Sequence, residues 1–242
     1  MSAKRTVWAL VAVWIFGSVA LLGWTNAQGE ENEIELSFED AASGELPKGW
    51  KVEGTQQSGP LATWKVAAEE GAPDGKQALV LTSPNHTNRG TYNLCWTDAV
   101  TFQDGEIEVK LKGNTGKIDQ GGGPIWRVKD KDNYYICRAN PLENNLRLYF
   151  VKDGRRQQIA TADVDIPTGK WHEVEVEHEG DHIVCSFNGK KLLEADDDTF
   201  SAAGGVGLWT KADAATSFDE FEVEFGVEDE EDDDDDGDEE EE

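Results

Sequence analysis

The sequence is poor in basic residues. It contains 22 lysines and arginines against 50 aspartates and glutamates, so its formal net charge is −28. Proteins that bind nucleic acids by neutralising phosphates need the opposite balance, and the composition therefore excludes nucleic acid as a partner. Fourteen acids lie in the 15 residues from Glu228 to Glu242. A run that repels itself and has nothing to bury predicts a disordered acidic tail over residues 227–242.

Cysteine and histidine are also scarce, with three and four residues. Neither type has the spacing of a zinc site, and there is no Cys-x-x-Cys redox motif. We interpret Cys95, Cys137 and Cys185 as small buried residues, although one disulfide plus one unpaired thiol is the alternative. The triple glycine at 121–123 lacks the spacing of a phosphate-binding loop, and no Gly-x-Ser-x-Gly elbow suggests an acyl-transfer serine.

The only long uncharged stretch is at the N-terminus. Lys4 and Arg5 precede an uncharged run over residues 6–24, and small residues occupy positions 25 and 27. This pattern predicts a signal peptide over residues 1–27 with cleavage after Ala27, and an uncleaved membrane anchor is the alternative. Either form exports the domain, which we expect to be secreted, periplasmic or on the cell surface, with membrane contact only through this segment.

Beyond a short linker at 28–33, period-2 alternation dominates, and no segment longer than twelve residues has a helical period. The predicted strands are Ala78–Leu81, Gly105–Leu111, Pro124–Val128, Tyr134–Asn140, Asn145–Val151, Glu173–Glu177, His182–Asn188, Val206–Lys211 and Ser217–Phe225. Turn sequences such as Asp153-Gly154 and Asn188-Gly189 separate them. Many short strands without helices predict one all-β domain over residues 34–226, an antiparallel β-sandwich or barrel.

The alternation also assigns side chains to faces. In Pro124–Val128, Trp126 and Val128 are expected to point into the core and Arg127 outward. The strands over 124–128, 134–140 and 145–151 are separated by short loops, so we expect them to pair as a meander. The outward face then collects cationic, amide and aromatic side chains: Arg127, Tyr134, Arg138, Asn140, Asn145, Arg147, Tyr149, Trp209 and Lys211.

Such a face suits carbohydrate. Aromatic rings cover the C–H face of a sugar, and Arg and Asn offer fixed hydrogen-bonding forks to its hydroxyls. Three carboxylates are expected nearby: Asp119 in the glycine-rich loop, Glu143 in the hairpin, and Asp213 after Lys211. We predict Glu143 and Asp119 as candidates for acid–base catalysis and Asp213 as a ligand-binding candidate. Ion pairing of each with a neighbouring arginine is the alternative.

The acidic residues near the two ends of the domain are candidates for a calcium site. Glu39-Asp40 near the first strand and Asp219-Glu220 in the last could share a calcium ion, because the two ends of a sandwich lie close together. Asp40 and Asp219 are the metal candidates, and ordinary surface acids are the alternative. No other cofactor is indicated.

Several motifs resemble a known family. They include Asp132-Asn133-Tyr134-Tyr135, the run from Arg138 to Asn145, Gly205 to Asp213, and Phe218-Asp219-Glu220-Phe221. Together they resemble exported bacterial proteins with a concanavalin A-like jelly-roll fold, in particular the 3-keto-disaccharide hydrolase domain family, over about residues 34–225. The Glu-x-Asp-x-x-Glu motif of family-16 glucanases, which share this fold, is missing.

The resemblance implies a carbohydrate ligand and suggests a reaction. A 3-keto group acidifies the C2 proton of a sugar, so cleavage by elimination and hydration needs a base and a stabiliser of the enolate. Glu143 or Asp119 could be the base, and Arg127 or Arg138 could face the enolate. A non-catalytic lectin-like module and a structural or adhesive domain are the alternatives.

Overall fold

The computed structural model describes residues 33–84 and 89–225. In these ranges the structure has fifteen β-strands and no α-helix, as the alternation predicted. Among these residues no helix has the length and apolar character to cross a membrane. The predicted signal peptide or anchor, nearly all of the linker and the acidic tail lie outside the described residues.

The strands are numbered in chain order. They are β1 (Glu33–Leu36), β2 (Lys51–Thr55), β3 (Thr63–Ala68), β4 (Gln77–Ser83), β5 (Tyr92–Phe102), β6 (Gly105–Thr115), β7 (Gly123–Asp130), β8 (Asn133–Asn140), β9 (Asn145–Lys152), β10 (Arg155–Asp163), β11 (Trp171–Glu179), β12 (His182–Phe187), β13 (Lys190–Asp196), β14 (Gly204–Lys211) and β15 (Ala215–Phe225).

These strands form two antiparallel sheets. The eight-stranded sheet has the order β13-β12-β11-β6-β15-β4-β3, with β1 paired to the C-terminal part of β15. The seven-stranded sheet has the order β10-β9-β8-β7-β14-β5-β2. The meander predicted for β7, β8 and β9 is confirmed by this order. The fold is therefore the predicted all-β sandwich of the jelly-roll type.

The main core lies between the two sheets. Trp126, Cys137 and Leu208 from the seven-stranded sheet meet Val109, Val176 and Phe221 from the eight-stranded sheet, all buried. Cys95, Cys137 and Cys185 are buried and carry free thiols, which agrees with their interpretation as small core residues. Burial raises the pKa of the Cys95 thiol, so it stays protonated and inert.

Six of the strands were not predicted, and β5 shows why. Its first six residues are buried on both sides of the sheet, so apolar and polar residues do not alternate along it. Polar and apolar residues alternate along a strand only where one of its faces contacts water, and the start of β5 has no such face. The second buried face is the feature that leads to the candidate site.

Candidate functional site

A second apolar cluster covers the outer face of the seven-stranded sheet, away from the main core. Its members are Tyr92, Leu94, Trp96, Ile125, Val128, Tyr134, Ile136, Tyr149, Val151 and Trp209. The outer face of an antiparallel sheet usually contacts water, whereas all of these side chains are buried. Something must therefore cover this face.

The last residue of β2 and the residue after it provide part of the cover. The Thr55 hydroxyl donates to the backbone carbonyl of Lys131 and lies 2.9 Å from the Tyr134 hydroxyl. Gln56 Nε2 donates to the carbonyl of Gly154 at 2.7 Å. The chain thus reaches from the sheet edge to the β7–β8 and β9–β10 turns. A groove of about 530 Å³ lies along this contact.

Polar side chains gather at the other end of the same face, where β8 ends and β9 begins. We call them the outer-face network: Asp119, Arg138, Asn140, Glu143, Asn145, Arg147 and Lys211. Asp119 is only 1% exposed. Its carboxylate accepts from Asn140 Nδ2 at 3.0 Å and from Lys211 Nζ at 3.1 Å, and lies 3.8 Å from Arg138 Nη1.

Glu143 lies at the solvent side of this network. Its side chain is 40% exposed, and its Oε2 lies 3.2 Å from Arg138 Nη2 and 2.8 Å from Arg147 Nη1. Arg138 Nη2 also donates to Asn145 Oδ1 at 2.7 Å. Partial burial works to raise the pKa of Glu143, but Arg138, Asn145 and Arg147 outweigh it, and the pKa lies below its usual value. Glu143 is therefore an accessible, ionised carboxylate at neutral pH.

Asp213 is beneath the network rather than in it. Its carboxylate accepts the backbone N–H groups of Lys117, Ile118 and Asp119 at 2.8, 2.9 and 3.0 Å. Partial burial works to raise its pKa, but these N–H groups hold the pKa below its usual value. Asp213 thus fixes the loop that carries Asp119, which is a positioning role, and its predicted contact with a ligand stays a prediction.

The triple glycine has a packing role. A Cβ on Gly123 would lie 1.9 Å from the carbonyl oxygen of Cys137, and one on Gly121 would lie 2.3 Å from that of Ala139. Only glycine allows the chain to lie this close to β8. The close approach brings Asp119 within reach of Asn140 and Arg138.

Beside the network, an arginine lies on aromatic rings. The guanidinium carbon of Arg156 is 4.2 Å from the ring centroid of Tyr149, 5.3 Å from that of Tyr92 and 5.8 Å from that of Trp209. The sequence analysis missed Arg156, because the polar edge strand Arg155–Asp163 was not predicted. The Arg-Arg-Gln-Gln run directly after the Asp153-Gly154 turn was the signal that could have found it.

The placement predicted for Arg127 is wrong. Arg127 adopts a left-handed conformation with φ 44°, and the pairing of β7 with β8 is irregular between Trp126 and Asp130. This bulge turns its side chain to the end of the sandwich, where it donates to the carbonyls of Gln103, Phe200 and Gly180. The Arg127 side chain therefore links three separate segments at this end of the sandwich.

The same bulge changes the face of Val128. It was expected in the core between the sheets but belongs to the cluster on the outer face. One extra residue in a strand moves every later side chain to the opposite face. Beyond Trp126, the faces assigned from the alternation were therefore wrong by one residue.

Trp209 and Tyr149 lie on the predicted face but do not form an open platform. Trp209 is 0% exposed and donates from Nε1 to the Tyr134 hydroxyl at 3.2 Å, and Tyr149 is buried as well. Tyr134 is held in turn by Thr55. These rings support the network and Arg156 from below.

The two calcium candidates differ in environment. Asp40 is exposed, whereas Asp219 is fully buried and accepts the backbone N–H of Asp74 at 3.1 Å. Burial raises the pKa of Asp219 to about 6. Glu39, the neighbour of Asp40, accepts the N–H of Lys76 at 2.8 Å, two residues after Asp74.

The network combines one half-exposed carboxylate with cationic donors around it. Such a set can remove a proton at Glu143 and stabilise negative charge through Arg138 or Lys211. Asp119 is too enclosed by Asn140 and Lys211 to reach a ligand without displacing them. Of the two predicted catalytic candidates, Glu143 is the one that the fold leaves accessible.

Comparison with solved structures agrees with the fold. Carbohydrate-binding module CBM66 from Bacillus subtilis is 20% identical, with a TM-score of 0.55, covering 72% of this chain and 95% of its own. Domain 4 of the GH43 extracellular arabinanase AbnA from Geobacillus stearothermophilus, in complex with arabinotriose, is 14% identical, with a TM-score of 0.50 and coverage of 73% and 82%. The Bacillus licheniformis β-glucanase is 11% identical, with a TM-score of 0.51 and coverage of 81% and 98%.

The sequence comparisons are more specific. No curated protein sequence matches the chain. The 3-keto-alpha-glucoside-1,2-lyase-like domain family matches over residues 15–224, which is most of the chain. The resemblance expected from the sequence motifs is confirmed by this match. The chain belongs to the 3-keto-alpha-glucoside-1,2-lyase-like domain family.

Proposed function

We propose that this domain binds a 3-keto glycoside at the outer-face network and cleaves it by β-elimination, with Glu143 as the base. The observation that carries the proposal is Glu143 itself, an ionised and accessible carboxylate beside Arg138 and Arg147. The name of the family supplies the reaction class. Export of the domain, expected from the N-terminal sequence, is part of the same proposal.

In this reaction Glu143 takes the C2 proton of the sugar. The electrons of the C–H bond form an enolate with the C3 carbonyl, and the guanidinium groups beside Glu143, Arg147 at 2.8 Å and Arg138 at 3.2 Å, would stabilise the negative charge on its oxygen. The enolate then collapses to a C1=C2 double bond as the C1–O1 bond breaks, and the departing O1 takes up the proton that Glu143 holds, which returns Glu143 to its ionised form. Addition of water to the double bond would complete a net hydrolysis.

The pKa of Glu143 sets the expected pH dependence. Because cations hold this pKa below the usual value, the carboxylate remains a base down to mildly acidic pH. We expect the rate to be level from neutral pH downward and to fall only in the acid range, below the usual pKa of a glutamate.

The test uses the purified full chain mixed with a panel of 3-keto glucosides, followed by proton NMR over hours. We expect new vinyl or anomeric product signals with the wild type and their loss with Glu143→Gln, while Glu45→Gln, an exposed control, behaves as wild type. Turnover by Glu143→Gln at the wild-type rate would show that Glu143 is not the base.

A non-catalytic saccharide-binding domain is the second candidate. It is favoured by the ion pairing of both carboxylates, since Asp119 and Glu143 each already have cationic partners. Saturation transfer to a sugar without any product would support this candidate. Absence of both signals would favour the structural or adhesive interpretation.

A further inference from the structure

The charge of the candidate site is opposite to that of the protein. The outer-face network and Arg156 together contain four cationic side chains, Arg138, Arg147, Arg156 and Lys211, against two carboxylates, Asp119 and Glu143. The chain as a whole has a formal net charge of −28. At physiological salt, charges are screened beyond about 8 Å, so a ligand in contact with the network responds mainly to this local excess of positive charge.

Two guanidinium N–H groups in this cluster lack a partner among the described residues. They are Arg138 Nε and Arg156 Nη1, both buried. The Arg138 side chain is 1% exposed. A buried donor without an acceptor costs free energy, and the cost is greater when the group is charged.

Arg156 lies without an acidic neighbour. It forms no ion pair with any described carboxylate, and its guanidinium lies over the rings of Tyr149, Tyr92 and Trp209. Aromatic rings stabilise the cation through their faces but accept no strong hydrogen bond from it. The positive charge of this guanidinium is therefore only partly compensated.

The two guanidinium groups that carry these unpaired N–H groups lie close enough to serve one ligand. Their carbons are 5.8 Å (Arg138) and 4.2 Å (Arg156) from the centroid of the same Tyr149 ring. Because these distances add to 10.0 Å, the two guanidinium carbons cannot be farther apart than that. A monosaccharide or disaccharide can bridge such a separation.

We propose that the site prefers an acidic saccharide, one in which a carboxylate of a uronic acid residue is bound by Arg156 while the sugar ring lies on the solvent side of the outer-face network, where Glu143 and Arg147 are partly exposed. This inference rests on the proposed function and narrows its ligand class. A neutral hydroxyl could accept one N–H, but only an anion also neutralises the charge. Arginine matches a planar carboxylate with two parallel hydrogen bonds, which gives the preference its specificity.

The experiment measures affinity by calorimetry for matched pairs of methyl glycosides: glucose with glucuronate, galactose with galacturonate, and mannose with mannuronate. We expect the acidic member of at least one pair to bind roughly 10-fold or more tightly, the range of a charge-assisted hydrogen bond, and the preference to decrease with added NaCl. A 6-sulfated glucoside separates a general preference for anions from one for carboxylates.

Variants locate the effect. Arg156→Gln should reduce the acidic-over-neutral ratio to about one, because the acidic ligand loses far more affinity than the neutral one, and Arg156→Lys should keep part of the ratio. Lys190→Gln, which removes one exposed positive charge from β13 of the other sheet, should leave the ratio as in the wild type. Thermal unfolding of each variant checks that it is folded.

The outcomes separate the two proposals. Binding of neutral members alone, or an acidic preference that Arg156→Gln and Arg156→Lys both leave intact, would overturn the inference and leave the proposed function standing. Equal gains from sulfate and carboxylate would replace uronate with any anionic sugar, which overturns the carboxylate assignment. No binding by any saccharide, including the 3-keto glucosides, would contradict the proposed function itself.

Discussion

The outer faces of the two sheets differ in the groups that surround their carboxylates. On the seven-stranded sheet, Asp119 and Glu143 are each held by cations within a network that is largely buried. On the eight-stranded sheet, glutamates stand opposite glutamates in two cross-strand rows, Glu177–Glu106–Glu224–Glu33 and Glu175–Glu108–Glu222–Glu35. We call this second surface the glutamate face.

The glutamate face is electrostatically strained. Carboxylate oxygens of Glu106, Glu108 and Glu175 lie within 4.8 Å of one another. Partial burial and the neighbouring glutamates raise the pKa of Glu106 and Glu175, and burial together with Glu173 raises that of Glu108 to about 7. Like charges directly across a sheet destabilise it. The large negative charge of the folded domain is therefore tolerated on one face while the other stays locally cationic.

The comparison predicts that the carboxylates of the two faces contribute to stability with opposite signs. Asp119→Asn should lower the free energy of unfolding by about 3 kcal/mol, because it leaves Lys211 and the buried Arg138 without their shared counter-charge. Urea denaturation at pH 7 measures it. Asp98→Asn, which breaks only the exposed pair with Lys51, should leave stability unchanged. A loss no greater for Asp119→Asn than for Asp98→Asn would contradict the importance of the network.

On the glutamate face, removal of a charge should stabilise. Glu108→Gln should raise the free energy of unfolding at pH 8 by about 1 kcal/mol, a value reduced from the full effect because the side chain is partly solvated. Since the folded-state pKa of Glu108 is raised from 4.5 to about 7, the contribution of this residue to stability is largest below pH 4.5 and is lost as the pH rises to 7.

A pH series distinguishes this effect from a general one. Wild type and Glu108→Gln should have equal stability near pH 4 and diverge above it, while Glu45→Gln should follow the wild type throughout. If Glu108→Gln is less stable than the wild type at pH 8, the carboxylate makes a favourable contact and the face is not strained.

The contrast also explains how far the sequence could lead. Strands with one wet face, such as Glu106–Leu111 and Glu173–Glu177, alternate cleanly and were predicted with the correct inward residues. The strand Tyr92–Phe102 is buried on both sides at its start and was missed. Alternation reports only the difference between faces, so it fails where a second apolar cluster removes that difference.

The sequence predicted which residues share the outer face better than it predicted how their side chains are placed. Arg138, Asn140, Asn145, Arg147 and Lys211 share the face that period-2 reading assigned to them. Arg127 does not, because no residue pattern indicated the bulge with φ 44°. Trp209 is buried against Tyr92 and Arg156 from other strands, and the role of Asp213 depends on backbone N–H groups of a distant loop. Neither contact is encoded locally.

The smallest expected effect concerns Glu35, at the end of one of the two rows on the glutamate face. Glu35 is exposed and pairs across β1 and β15 with Glu222, whose pKa is raised by partial burial and by Glu35 itself. Glu35→Lys should convert this repulsive pair into an attractive one and raise the free energy of unfolding by about 0.5 kcal/mol at low salt. Glu35→Gln should give roughly half of the gain, since it removes repulsion without adding attraction. Because both charges are near the surface, 0.5 M NaCl should abolish the difference between the two variants; a difference that persists would mean that packing of the lysine stem, and not charge, stabilises the edge.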